Sequence, residues 1–189
     1  SRADFLDGLG IYVGPTEAAF VYLHKRFFQV RLREYAVVPL PGPEHAADRP
    51  QALAQAVAQF AQAHGVDTRR TVLCLPRAEA AFSRAQLPAA ARENLEQVLE
   101  YELENLSPLP RDQVFFDFAV CATDEERIQV LLMCVSRATV QGYLDALEGV
   151  GIRPRAIGLA STAIADYIAF CTGQPEAPLS LLVGTKEDA

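Results

Sequence analysis

The sequence predicts an α/β fold with a mixed sheet. It reads as a β-β-β-α-β unit followed by a smaller β-α-β-β-α-β module. Three observations predict it. Three strand-like runs fill the first 38 residues with only short breaks between them. Two later stretches, 50–63 and 88–105, repeat apolar residues at helical spacing. Between and after them stand apolar runs too short for helices and bounded by turn residues, as strands are.

Taken in order, 8–13 (GLGIYV) reads as a buried strand and 16–24 (TEAAFVYLH) as a second. Residues 27–38 form a third, with Val30 and Leu32 alternating, so the three make an antiparallel meander. The Pro-rich 39–50 is a loop whose Asp48 is placed to cap the next helix, with Pro50 in its first turn. Leu53, Val57 and Phe60 line one face of that helix, Gly65 ends it, and 70–75 (RTVLCL) returns as a strand. A strand over 79–86 leads through Leu87-Pro88 into a Glu-rich helix, 88–105, broken by Ser107-Pro108-Leu109-Pro110. Residues 113–121 and 127–135 are strands around the turn TDEE. A helix over 137–149, ended by Gly149 and Gly151, precedes a strand at 152–158. An apolar helix at 159–172 and a strand at 179–183 follow. The division expected is 1–77, an inserted module at 78–158, and 159–189 opening a second lobe.

Composition narrows function. Half of the 189 residues are apolar and 22% are charged, a globular balance. A net charge of −7 and a pI near 5 argue against nucleic acid and against direct docking or insertion of this fragment on anionic lipid. No window of 18 apolar residues exists, and Asp4 and Asp7 interrupt any leader, so a cytoplasmic domain is expected. Cys74, Cys121, Cys134 and Cys171 form no CxxC pair and read as buried free thiols. No metal ligand set, Ser-His-Asp arrangement or HExxH is present, so no catalytic residue, metal or cofactor is assigned.

Three stretches carry a family resemblance: LGIYVGPTEAAFVYL (9–23), FSRAQLPAAARENLEQVLEYELENLSPLPRDQVFFDFAV (82–120) and VSRATVQGYLDALEGVGIRPRAIGLASTAIADYI (135–168). In that order they resemble the type IV pilus assembly PilM family and its relative, the cytoplasmic domain of type II secretion GspL. The resemblance implies an actin-like (ribonuclease H-like) lobe with a ferredoxin-like, SHS2-type insertion. It also implies an adaptor at the cytoplasmic face of the inner membrane. Its partners would be an assembly ATPase and a PilN-like or GspM-like membrane protein, with a homodimer as a further option. The polar ending GTKEDA after a strand suggests that the natural chain continues, into a transmembrane helix if it is of the GspL form.

The departures from the family are informative. A working actin-like ATPase carries Asp, aliphatic, Gly, then Ser or Thr in its first phosphate strand. Here the run is Tyr12-Val13-Gly14-Pro15. Tyr12 is neutral near pH 7 and Pro15 lacks both hydroxyl and N–H, so the magnesium and phosphate contacts are missing. Leu182 stands where the second phosphate strand should again supply Asp. The nucleotide site, Tyr12, Gly14 and Pro15, is therefore expected to be degenerate, and Gly14 is read as a turn glycine between two strands in preference to a phosphate-loop residue. Glu93, Glu96 and Glu100 form either a partner-binding face or a solvated one. Phe27 and Phe28, beside Lys25-Arg26, form either an exposed anchor or the start of a buried strand, one of them being assigned to the core. Two other readings stay open. One is an actin-like ATP-binding protein whose remaining site lies beyond residue 189. The other is a ferredoxin-like regulatory domain that binds a small molecule.

Overall fold

The computed structural model describes residues 5–27 and 29–164. The chain opens with the meander: β1 (Phe5–Val13), β2 (Glu17–Arg26) and β3 (Gln29–Pro39). Helix α1 (Arg49–His64) leads to β4 (Thr71–Leu75). The strands β1 and β2, and β2 and β3, are antiparallel, whereas β4 runs parallel to β1. With β8 (Pro154–Leu159) parallel to β4, they form one mixed sheet in the order β3-β2-β1-β4-β8. The α/β class and the mixed sheet are those the sequence predicts.

The alternation of β1 and β2 decides which face is covered. Leu9, Ile11 and Val13 pair across with Tyr22, Phe20 and Ala18, and all six are buried. Leu53, Ala54, Val57 and Phe60 of α1 supply the apolar stripe against this face, and the Phe20 and Phe60 rings lie 5.5 Å apart. Leu53, Val57 and Phe60 each contribute about 1.5–3 kcal/mol on burial, and the alanines less. The helix stops at Gly65, whose φ of 61° is the left-handed turn that a glycine accepts without strain. Asp48 precedes α1 but makes no side-chain cap: its backbone is already helical, and its carbonyl accepts the Ala52 amide at 3.0 Å.

The second sheet is antiparallel, in the order β5-β7-β6. It comprises β5 (Ala80–Pro88), β6 (Val114–Thr123) and β7 (Arg127–Ser136), with α2 (Leu95–Leu106) between β5 and β6. Its core joins Leu87, Leu99, Ile128 and Val130 to Leu103, Val114, Leu132 and Cys134. Phe116 and Phe118 pack against both groups, while Phe115 and Asp117 face outward, as strand alternation requires. Helix α3 (Arg137–Gly149) follows β7. The described residues divide into two compact units, one up to Arg77 and from Gly142 onward, the other Ala78–Gln141.

The structure corrects three details. The strand assigned as the last of the inserted module, β8, pairs with β4 in the first sheet. The helix expected to run from residue 88 begins as a 3-10 segment, Ala89–Asn94, and becomes α-helical only at Leu95. Its first amide, Ala89, is tied to the Glu126 carbonyl at 2.8 Å, which fixes the entry from outside the helix. Cys121 is exposed, not buried, because it is the extra residue of a bulge between Val120 and Ala122, where no partner on β7 faces it. Residues 160–164 begin a helix. The rest of the expected helix to 172, Cys171, the strand at 179–183 and Leu182 lie outside the described residues.

One local charge pair yields a pH prediction. The Arg69 guanidinium and backbone N–H both donate to the Asp67 carboxylate and hold its pKa at about 2. A depressed carboxylate stabilises the fold above the ordinary carboxyl range, and that contribution is lost as pH falls from about 4 toward 2. Arg69 is largely exposed, so the energy is small. Carboxyl NMR is expected to give Asp67 a midpoint near 2, rising toward the ordinary value in Arg69→Ala. An unchanged midpoint in the variant would refute the assignment.

Candidate functional site

The first candidate site is the turn between β1 and β2. The Gly14 amide donates to the Glu17 carbonyl at 2.8 Å and so closes the turn. A Cβ at Gly14 would stand 3.0 Å from that carbonyl and 3.3 Å from the Tyr12 ring, so a side chain there would require its neighbours to shift by a few tenths of an ångström. Pro15, next along, has no N–H to offer. The carbonyls here are held by a cation. Arg49, the first residue of α1, is only 6% exposed. Its guanidinium donates to the carbonyls of Gly14 and Pro41, each at 2.5 Å, and to that of Pro15.

This inverts the usual logic of a phosphate loop. Such a loop aims backbone N–H groups at the anion. Here the Gly14 amide is engaged by Glu17, and the Gly14 and Pro15 oxygens point at Arg49. Those lone pairs are ligands for a cation and repel phosphate oxygens. Tyr12, half-buried, supplies a phenol where magnesium would need a carboxylate. Arg49 was not foreseen from the sequence, because 34 residues separate it from Pro15 and nothing local marks the pairing.

The second candidate site lies on α2 and the segment before it. Glu93 and Glu96 are exposed, and Glu100 is half-buried. The three share one shallow hollow of about 370 Å³ with Phe116. Glu100 bonds the Arg111 guanidinium at 2.5 Å and borders a larger hollow, about 680 Å³, walled by the Ser107–Asp112 break and Arg137. Both arginines also meet rings. Arg111 stands 5.9 Å from Tyr101, and Arg137 sits 4.1 Å over Phe115. Carboxylates around an aromatic floor offer a seat for a segment carrying apolar and basic residues.

The remaining residues fall apart from these two. Phe27 is 58% exposed at the β2–β3 turn, so it is not the core member of its pair. Phe28 lies outside the described residues. Burial pushes the thiols of Cys74 and Cys134 up, which keeps them protonated near neutral pH. Among the described residues no three His, Cys, Asp or Glu side chains converge as metal ligands would. Among those residues, too, no helix is long and apolar enough to cross a membrane.

No curated sequence matches significantly. Among solved structures, the PilM–PilN type IV pilus biogenesis complex superposes with a TM-score of 0.71 at 24% identity, over 86% of this chain and 49% of that one. The cytoplasmic domain of EpsL is a second. It belongs to an inner membrane component of the Vibrio cholerae type II secretion system, and superposes with a TM-score of 0.53 at 20% identity, over 81% and 57%. These likenesses show the actin-like fold, and the chain spans about half the length of the proteins it matches. The family model for type IV pilus assembly protein PilM matches residues 10–177, nearly the whole sequence, and the chain belongs to that family.

Proposed function

We propose that this domain is a scaffold at the cytoplasmic face of the inner membrane. It holds a PilN-like partner and couples it to an assembly ATPase, with a nucleotide loop that has lost its chemistry. The observation that carries this reading is the Gly14–Pro15 turn, whose carbonyls ligate Arg49 where a nucleotide site would present amides to phosphate. Two further findings support it. A structure of similar fold was solved as a PilM–PilN complex, and another belongs to an inner membrane component of a secretion system. The acidic hollow at Glu93, Glu96 and Glu100 is the face proposed for the partners. Calorimetric titration of the chain with Mg-ATP and, separately, with the cytoplasmic peptide of a PilN-like protein tests the reading. Peptide binding without nucleotide binding is expected. Micromolar binding of Mg-ATP would overturn the degenerate site, and a peptide that gives no heat would overturn the partner.

A further inference from the structure

Strand β6 is an open edge of the second sheet: among the described residues β7 alone pairs with it. One contact shows which way its backbone points. The Phe118 amide donates to the carboxylate of its neighbour Asp117 at 2.8 Å, so it faces away from β7. Alternate residues of an antiparallel strand share that direction, so the amide and carbonyl of Phe116 face the open side as well. Open backbone groups of this kind are a template for another strand. The Asp117 carboxylate on the Phe118 amide guards the edge against indiscriminate pairing.

The two sides of this edge differ in chemistry. Phe116 and Phe118 pack on the side of α2, where the hollows of about 370 and 680 Å³ both reach Phe116 and Glu100. Glu96, Glu100 and Glu104 stand one turn apart on the flank of α2 that borders these hollows. Among the described residues Glu100 has a cation, Arg111, whereas Glu96 and Glu104 are exposed and carry no ion pair. The other side of β6 is apolar apart from Asp117. Phe115 is 40% exposed there beneath the Arg137 guanidinium, and Ala119 is exposed beyond it.

We infer that β6 accepts an extended basic peptide as a fourth strand of the second sheet. The inference rests on the partner face proposed at Glu93, Glu96 and Glu100 and states how that face reads its partner. Spacing favours a strand. Alternate residues of a strand lie about 6.8 Å apart. Glu96, Glu100 and Glu104 rise about 6 Å from one to the next along the helix. A peptide residue opposite Phe116 exchanges both backbone bonds with it and puts its side chain on the same face. Lys or Arg there, and two residues to either side, runs along the three carboxylates. The intervening side chains fall beside Phe115 and Ala119, where apolar groups fit. The partner segment therefore alternates basic and apolar residues.

The test titrates the whole chain with a capped nonapeptide of alternating lysine and valine, lysine at both ends, read by fluorescence anisotropy and amide NMR. Binding is expected to fade as salt rises and to slow hydrogen exchange at the Phe116 amide. Glu96→Gln and Glu104→Gln should each weaken it about threefold with an unchanged thermal midpoint. Asp117→Ala frees the Phe118 amide and should tighten it about threefold. Methylating the backbone nitrogens of the three central lysines should weaken binding at least tenfold, because those amides face β6. Methylating the valine nitrogens, which face away, should change it less than about threefold. No binding, or equal binding of an alternating glutamate-valine peptide, would overturn the inference. So would a lysine-valine peptide that shifts the Glu96 and Phe116 resonances yet ignores lysine methylation. That last result would remove the added strand and leave the partner face standing. The face itself falls only if the PilN-like peptide gives no heat.

Discussion

Replacing Arg49 with leucine is expected to destabilise the protein by about 3 kcal/mol and to loosen both loops that the guanidinium ties together. Three carbonyls, of Gly14, Pro15 and Pro41, accept from this one side chain. A hydrogen bond to a charged partner contributes about 1.5–3 kcal/mol, and a buried acceptor left without a donor carries its own desolvation cost. The sum would exceed 3 kcal/mol if all three oxygens stayed dry. They lie in loops, where water replaces part of what is lost. Arg49→Lys should recover only part of the effect. A single ammonium lacks the planar fork that reaches three oxygens at once. Urea denaturation measures both variants. A leucine variant within about 0.5 kcal/mol of the parent would show that the guanidinium is not what holds the loops. The same experiment bears on function. Releasing the turn still leaves Pro15 without an amide and Tyr12 without a carboxylate, so Arg49→Leu is expected to gain no affinity for Mg-ATP.

The contrast between Tyr12 and Arg49 shows what was legible. Tyr12, Gly14 and Pro15 are consecutive or nearly so, and their chemical defects as a phosphate loop can be read one residue at a time. Arg49 falls within the Pro-rich 39–50 loop, just ahead of a helix proline, and only the tertiary fold brings it under the turn. Local signals located most elements for the same reason. Helix α3 runs over the expected residues because Val140, Tyr143 and Leu147 repeat at helical spacing and glycines stop it at Gly149 and Gly151. Strand β8 was recognised as a strand but given the wrong sheet. An apolar run states that it must pair, yet both sheets offered an edge, and β4 won by pairing parallel over Thr71–Leu75. Bulges were equally hidden. Arg33 and Cys121 are each the unpaired extra residue where register slips by one, and no pattern within either strand announces it. The partner face was half legible. The Glu run was plain, but Phe116, which lines the hollow with it, and Arg111, which bonds Glu100, come from residues beyond the Pro break.

That hollow depends on a small core, so the largest effect on it should come from within. Leu132 sits on β7, the central strand of the second sheet, fully buried against Leu103, Val114 and Cys134. Leu132→Ala is expected to cost about 3–5 kcal/mol, through lost transfer energy and a cavity that flanking strands on both sides keep from collapsing. Small units bury a lower share of their surface and have little stability to lose. The loss should therefore appear as local opening. Hydrogen exchange in Leu132→Ala is expected to accelerate in β5, β6, β7 and α2, while the amides of β1 and β4 keep their protection. Binding of any partner at Glu93, Glu96 and Glu100 should fail with α2, because the face exists only while Leu99 and Leu103 hold that helix on the sheet. If exchange instead accelerates equally in both sheets, the two units unfold as one cooperative body, and a lost partner could no longer be traced to this face.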